Sequence, residues 1–373
     1  MKKNKKLYVS VVIVMTFIFA SCKKDEPSFL GNVNQFSIPP VSDSLKGKEL
    51  ILNDIYTGNM AIKDSLIIFS SDRLPDYNIY IFDMNSGNLL NRLCRRGKGY
   101  NEYISIKHKN QFTVNNENLC LWIYDNVYTR KISLLNISES MKQKETIYDT
   151  TYTYTVGSEY SMPLSPIFIP REDSLFIAKN HPQEMALHSI EYLLPAYHLY
   201  NGKTNKEIKE YQLFSGNILP SDENVNSFTF GGQDFFDMQS SISPDGKKIA
   251  MAMHLYPQIN ILDMETGELT GCKISKTIDL GSLSNTKMEN LKRYFLDVYA
   301  DNNYIYALYS GTSVNKDVFA SNQIFVFDWK GNILKNIVID NITETITIAD
   351  EKLYIHDDED RIFSYDLSLI LSE

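Results

Sequence analysis

The chain has 373 residues and a net charge of −9, with 43% hydrophobic and 22% charged residues. This length and balance are typical of a globular protein and exclude a fully disordered or fibrous chain. The 24 Tyr and 19 Phe make the chain rich in aromatic residues, which favours β-structure. The acidic balance, without a basic face, argues against a nucleic-acid partner.

The N-terminus predicts a lipoprotein signal peptide over residues 1–21. Lysines precede an apolar run from Leu7 to Ala20, which has the length of a secretory core and is short for a membrane span. Small residues lead directly to Cys22, as in a bacterial lipobox, although Phe19 stands where Leu is commoner. We expect Cys22 to be acylated and to anchor the protein in a lipid bilayer. An ordinary signal peptide or an anchor helix is the alternative.

The segment after Cys22 predicts where the protein is displayed. Lys24, Asp25 and Glu26 resemble the short signal, one lysine with two acids, that sends some Gram-negative lipoproteins to the cell surface. We expect an outer-membrane lipoprotein that faces the cell surface, with the periplasmic face as the alternative. Residues 22–48 contain several Pro and Gly and are predicted to form a polar tether.

From residue 49 onward the chain repeats short apolar runs that are separated by turns. Each unit has an apolar run that ends in Asp or Asn, a second apolar run before it, and a short polar turn before that. The recurring runs end at Asp83, Asn136, Asn201, Asp263, Asp328 and Asp366. These units predict an all-β fold over residues 49–373, a six-bladed β-propeller of four-stranded antiparallel blades that protects its strand edges by radial repetition.

The last unit is short, so its fourth strand must come from elsewhere in the chain. The run from Glu49 to Ile55 is strand-like and has no place in the first unit, so we predict that it forms the outer strand of the last blade. The run from Ser368 to Leu371 is the competing candidate.

Three motifs resemble those of the TolB-like six-bladed propeller lipoproteins. Ser243 to Ala250 reads Ser-Pro-Asp-Gly-Lys-Lys-Ile-Ala, in which Pro-Asp-Gly supplies a tight turn between two strands. Tyr304 to Gly311 resembles a strand of that family. Arg96 to Tyr103 resembles its glycine-rich connection, with Tyr-Asn in place of Pro-Gly. The resemblance implies the fold, but these turns and strands imply no reaction.

The cysteines beyond the signal peptide predict neither a disulfide framework nor a metal site. Cys94, Cys120 and Cys272 are odd in number, contain no CxxC pair, and include one inside an apolar strand pattern. We interpret them as small buried residues, and the sequence implies no cofactor.

The long loops are predicted to lie on one face of the propeller. In a four-stranded meander the loops between the second and third strands, and the links between blades, share a face. Long segments of these two kinds run from Asn180 to Pro195, Ser215 to Gln239, Ser275 to Lys292 and Gly311 to Asn322. Because loops on a rigid scaffold commonly carry binding residues, this loop-rich face is the predicted functional surface.

Two of these loops contain candidate ligand-binding side chains. His181, Glu184, His188 and Glu191 would lie near one face of a helix, and we favour a polar helix over the rim to a metal site. The aromatic side chains of the other loop could contact a sugar or a peptide, although packing onto the propeller is the preferred interpretation; they are Phe228, Phe230, Phe235 and Phe236.

The sequence contains no reaction motif, neither a GxSxG elbow nor an HExxH pair. We therefore predict a binding protein whose ligand, a glycan or a protein partner, is held at the loop-rich face. The alternative is an enzyme that acts on a glycan or a lactone at the central channel. A convergent cluster of carboxylates or histidines at the channel mouth would favour the enzyme.

Overall fold

The structure is a computed structural model that describes residues 27–99, 101–125, 128–155, 165–170, 174–180, 194–216, 236–283, 286, 288–316 and 319–371. Over these residues the chain is an all-β propeller, which confirms the predicted fold class at that level. No helix in these ranges is both long enough and apolar enough to span a bilayer.

The first strands of the chain pair with strands that come much later in the sequence. They are β1 (Ser28–Phe29), β2 (Asn32–Phe36), β3 (Asp43–Leu45) and β4 (Lys48–Leu50).

Three antiparallel sheets of four strands follow. The first contains β5 (Asn59–Lys63), β6 (Leu66–Ser70), β7 (Tyr77–Asp83) and β8 (Leu89–Arg95). The second contains β9 (Lys107–Asn115), β10 (Asn118–Asp125), β11 (Lys131–Asn136) and β12 (Tyr148–Thr153), with helix α1 (Ile137–Gln143) between its last two strands. The third contains β13 (Ile167–Phe168), β14 (Leu175–Lys179), β15 (Ala196–Asn201) and β16 (Lys206–Gln212).

The C-terminal half forms two larger sheets. After β17 (Phe214–Ser215), one sheet contains β18 (Met238–Ile242), β19 (Lys248–Met253), β20 (Gln258–Asp263) and β21 (Leu269–Ile274). Helix α2 (Leu280–Leu283) and a 3₁₀ turn (Met288–Asn290) lead to the other. That sheet contains β22 (Lys292–Ala300), β23 (Tyr304–Ser313), β24 (Ser321–Asp328), β25 (Ile333–Ala349), β26 (Lys352–Asp357) and β27 (Ile362–Asp366), before helix α3 (Ser368–Leu371).

The prediction of a polar tether over residues 22–48 is wrong for its described part. β1 pairs with β17, β2 pairs in parallel with β21, and β3 pairs in parallel with β25. Residues 27–50, which we call the N-terminal strap, therefore run along the outer edges of successive sheets. Exposed strand edges carry unpaired backbone groups, and the strap satisfies them with hydrogen bonds. The ring of Phe36 also packs 5.5 Å from the ring of Phe327.

The strand that extends the last sheet comes from the N-terminal side of the chain, as predicted, although with different bounds. β4 pairs antiparallel with β27, with Leu50 opposite Ile362. Residues 51–55 lie outside the strand, and the competing run Ser368–Leu371 is the helix α3. The N-terminal and C-terminal parts of the chain are thus hydrogen-bonded within one sheet.

The Pro-Asp-Gly motif forms the tight turn that the sequence predicted. The hydroxyl of Ser243 donates to Asp245 at 2.6 Å, and the Gly246 N–H donates to the Ser243 carbonyl at 2.8 Å. Gly246 has a φ of 70°, a conformation that glycine adopts without a steric cost. The turn joins β18 to β19, whose residues pair without a register shift.

Core packing occurs between neighbouring sheets, through the apolar side chains of their central strands. One cluster joins β19 and β20 to β22, β23 and β24, and Phe325 lies at its centre with no exposed surface. Its ring stacks on Tyr309 at 4.5 Å and lies 6.4 Å from Phe295. Cys94, Cys120 and Cys272 are buried free thiols, as predicted, and burial raises the pKa of each to about 12.

Candidate ligand-binding site

A cavity of about 520 Å³ lies among the beginnings of the innermost strands. Its wall draws on β5, β9, β18, β22 and the second half of β25, and on Ser165 just before β13. His254, which follows β19, and Phe319, between β23 and β24, also line it. These positions belong to the face on which the sequence placed the long loops. We call this space the loop-face cavity.

A second cavity of about 450 Å³ occupies the other end of the channel. Its wall includes the turns at residues 244–246 and at Asp350, which join the first and second strands of their units. Four residues line both cavities, and they are Lys109, Asn110, Ser241 and Tyr299. The two cavities are therefore the two ends of one central channel.

Strand β9 has an irregular register where it lines the channel. His108 pairs with Ile123 and Phe112 pairs with Leu121, so residues 109–111 stand opposite Trp122 alone. Asn110 has a φ of 54°, in the left-handed region that few residues other than glycine adopt. Bulges of this kind re-aim a side chain, and this one lies at Lys109, which lines the channel.

Strands β22 and β25, which place the acids Asp297 and Glu344 on the cavity wall, are also irregular. On β22, Phe295 pairs with Tyr309 and Asp297 with Leu308, so one extra residue precedes Asp297. On β25, the pairing shifts between Thr343 and Ile346, across the position of Glu344. The two irregular segments are joined, because the N–H of Ile346 donates to Asp297 at 2.9 Å.

The cavity wall carries more basic than acidic side chains, in a protein whose overall charge is negative. The charged groups are Lys107, Lys109, Arg293, Asp297 and Glu344. Burial lowers the pKa of Lys109, an effect that Asp297 opposes and Lys107 reinforces. Burial likewise raises the pKa of Asp297, and Lys109 opposes that shift. The channel thus disfavours the charged form of both groups while keeping them close enough to influence each other.

Two histidines belong to the same wall. His108 is buried, and burial lowers its pKa to about 4, so its ring is neutral at pH 7. Neither of its ring nitrogens has a hydrogen-bond partner among the described residues. His254 is held by Asp237, whose Oδ2 lies 3.1 Å from Nδ1. A carboxylate on one nitrogen orients an imidazole, which is also how enzymes position a general base.

A buried lysine lies next to this histidine and carboxylate pair. The Lys179 Nζ lies 4.0 Å from Asp237 Oδ1 and donates to the Met238 carbonyl at 3.4 Å. Burial lowers the pKa of Lys179 to about 8, with Asp237 acting in the opposite direction. Lys179, Asp237 and His254 therefore form a polar cluster, of which His254 lines the loop-face cavity.

Most of the side chains that the sequence singled out lie outside the described residues. This holds for Cys22, Lys24, Asp25 and Glu26, for His181, Glu184, His188 and Glu191, and for Phe228, Phe230 and Phe235. Phe236 is described and buried, with its ring 4.6 Å from that of Phe214. Phe236 therefore packs on the propeller, in keeping with the preferred interpretation of these rings.

Within the described part of the chain, one group of side chains has the spacing of a metal site. His198, Glu207 and Glu210 each place a ligand atom within 4.8 Å of the others. They lie on the outer strands β15 and β16, away from the channel, and the His198 Nδ1 lies 3.1 Å from Glu207 Oε2. This contact is also that of an ordinary side-chain hydrogen bond between neighbouring strands.

A family model and a solved structure with a TM-score above 0.5 agree with the propeller fold. Residues 235–352 match the family model described as TolB-like 6-blade propeller-like. The structure is similar to that of a DUF4221 family member from Bacteroides vulgatus ATCC 8482, with a TM-score of 0.53 and 13% identity over 92% of this chain and 98% of that chain. A Bacteroides fragilis NCTC 9343 protein inferred to be exported has a TM-score of 0.49 and 12% identity, over 91% of this chain and 99% of that chain. No curated protein matches the chain.

The fold and the channel define a β-propeller with a polar cavity at one end of its axis. The family match over residues 235–352 confirms the resemblance to TolB-like propellers that the turn motif predicted.

Proposed function

We propose that this protein captures a small ligand in the loop-face cavity. The observation that carries the proposal is that three innermost strands depart from regular pairing at the charged residues of this one cavity, at Lys109, Asp297 and Glu344. A regular ladder is the more stable arrangement, and bulges concentrate where a site needs a side chain re-aimed. The volume of about 520 Å³ lies in the range of small-molecule sites.

The proposal includes the finer architecture of the ring. We infer six blades of four strands. The sheet that contains β22 to β27, together with β3 and β4, would be two blades that share the long strand β25. Strand β4 would be the outer strand of the last blade. Residues 49–373 would then be the propeller, with the described part of the strap wrapped around its edge instead of hanging free.

The proposal also includes a place in the cell. Acylation at Cys22 after removal of residues 1–21 would hold the propeller in the outer membrane, and Lys24, Asp25 and Glu26 would direct it to the cell surface. Labelling with a palmitate analogue tests the anchor, because Cys22→Ser should abolish the label. Protease treatment of intact cells tests the side, because Asp25→Ala with Glu26→Ala should reduce cleavage.

A blocked cavity tests the capture function. Gln239 lines the loop-face cavity, and Gln239→Trp should fill part of it. The matched control is Gln35→Trp on the exposed edge strand β2. On a glycan array, Gln239→Trp should lose the signals of the wild type, whereas Gln35→Trp should keep them at an equal melting temperature. Binding that survives Gln239→Trp would exclude this cavity as the capture site.

The cluster of Lys179, Asp237 and His254 supports an enzyme as the second candidate. His254 oriented by Asp237 is an arrangement that can accept a proton from a bound hydroxyl or water. The test is whether the protein turns over any glycan that the array identifies. Turnover that His254→Gln abolishes, while binding persists, would show that the protein is an enzyme. Binding without turnover would leave capture as the function.

A further inference from the structure

Lys109 occupies an unusual position for a lysine. It lies on the bulge of β9 and lines both ends of the channel. Among the described residues no ion pair or hydrogen bond of its ammonium group is found, although burial already disfavours its charge. Lys109 is partly exposed and lines the cavity, so a ligand that supplies a negative charge there would offset the cost of charging its amine.

The acid across the channel is not an adequate partner for Lys109. Asp297 accepts the Ile346 N–H at 2.9 Å, and no ion pair within 4.0 Å joins it to Lys109 in the described structure. Burial also disfavours its ionised form. Lys107, two residues earlier on the same strand, adds a second positive charge to the wall. On the wall of the loop-face cavity the three basic side chains thus outnumber the two acidic ones, Asp297 and Glu344.

The rest of the wall is suited to hydroxyl groups. Amide and hydroxyl side chains line the cavity on several strands, and they include Asn59, Asn110, Gln239, Ser240 and Thr345. Such groups offer both donors and acceptors, as a polyhydroxylated ligand requires.

An aromatic ring lies in the same wall. The Arg293 guanidinium lies 3.9 Å from the centre of the Phe319 ring and donates to the Lys316 carbonyl at 3.1 Å. The guanidinium thereby packs on one face of that ring beside the cavity.

We propose that the ligand of the loop-face cavity is an acidic sugar, a saccharide whose carboxylate pairs with Lys109 while its hydroxyl groups bond to the amide side chains. The proposal rests on the proposed capture function and names the ligand class of that site. A carboxylate beside Lys109 would also favour the protonated amine, so binding should take up protons near the pKa of that group.

The test compares two sugars that differ mainly in one carboxylate, D-glucuronate and D-glucose. Calorimetric titration of the wild type at pH 7 should show roughly tenfold or greater preference for glucuronate, as expected for one charge-assisted hydrogen bond. Lys109→Gln should remove this preference, and the control Lys206→Gln, on the outer strand β16, should retain it. Titrations in buffers of different ionisation enthalpy, repeated over a range of pH, should show more proton uptake by the wild type than by Lys109→Gln.

The outcomes separate this inference from the function on which it rests. Equal affinity for both sugars, with loss of both in Gln239→Trp, would overturn the acidic class while the capture site stands. A preference for glucuronate that persists in Lys109→Gln would overturn the role of Lys109. Absence of binding by either sugar would overturn the acidic-sugar class, and the glycan array would still decide whether the cavity captures a ligand.

Discussion

The innermost strand pairs of the propeller are of two kinds. β18 and β19 pair without a shift from Met238 opposite Met253 to Ile242 opposite Ile249, and β5 and β6 are equally regular. By contrast, the pairs that begin with β9 and β22 shift register, as does the pairing of β25 with β26. The regular pairs present uncharged groups such as Asn59 and Gln239 to the loop-face cavity, whereas the irregular pairs present charged groups to it. This contrast separates the scaffold of the molecule from its candidate site.

The largest expected effect concerns the strap, which belongs entirely to the scaffold. A chain that begins at Tyr56 lacks all the strap pairings and leaves β21, β25 and β27 with open edges. We expect it to aggregate or to melt far below a chain that begins at Pro27, because open edges lose hydrogen bonds and expose apolar side chains.

An intermediate truncation sharpens this prediction. A chain that begins at Gly47 keeps β4 but loses the parallel strands and the Phe36 ring, so its melting temperature should fall between the other two. Differential scanning calorimetry of the three chains measures the order. Equal melting of the Gly47 and Tyr56 chains would show that β4 contributes nothing to the last sheet.

The next effect is a core substitution that should leave the candidate site intact. Phe325 is fully buried among Phe295, Tyr309 and Phe327. Phe325→Ala should lower the free energy of unfolding by about 3–5 kcal/mol, because it removes a buried ring and leaves a cavity. Urea denaturation measures the loss, and ligand affinity at a temperature where the variant is folded should be unchanged. An affinity that falls in parallel with stability would contradict the separation of scaffold and site.

The sequence predicted the regular parts of the molecule well. Turn residues such as those at 243–246 have fixed local preferences, and apolar strands that end in Asp recur in each unit. The position of Lys109 was missed, because a bulge depends on the register with β10 and leaves no local signal. The strap was missed for a related reason. Strand β2 reads Asn-Val-Asn-Gln-Phe and is almost wholly exposed, so its pairing relies on backbone groups that no side-chain pattern reveals.

A smaller effect should appear in the pH dependence of stability, at the wall of the cavity. The pKa of His108 is lowered to about 4 in the folded protein, against an ordinary value of about 6.5. Between these values the unfolded chain binds a proton that the folded chain does not bind, so stability falls as the pH falls from about 6.5 to about 4. The loss between pH 7 and pH 4.5 should be about 2 kcal/mol.

Urea denaturation at these two pH values checks the contribution of His108. In His108→Gln the unfolding free energy should no longer show this loss between pH 7 and pH 4.5. In Lys206→Gln, far from the channel, it should still show the loss. If the pH dependence of the unfolding free energy were unchanged in His108→Gln, the imidazole would be protonated in the folded protein as easily as in water.

The smallest effect compares one aspartate of the site with one of the scaffold. Burial raises the pKa of Asp297, with Lys109 in opposition, so its contribution to stability is lost as the pH rises above about 3.9. Asp263 ends β20. Burial alone would raise its pKa, but hydrogen bonds from Thr266 and Glu265 lower it, so its contribution is lost as the pH falls.

The two amide substitutions should therefore respond to pH in opposite directions. Relative to the wild type, Asp297→Asn should gain stability between pH 4 and pH 7, since the amide oxygen still accepts the Ile346 N–H without burying a charge. Asp263→Asn should lose stability over the same range, because the neutral amide is a weaker acceptor for the turn. Thermal unfolding of both variants at the two pH values measures the signs. A loss for Asp297→Asn at pH 7 would show that its carboxylate is ionised and paired in the channel, and the proposal that Lys109 takes its negative charge from a ligand would then be wrong.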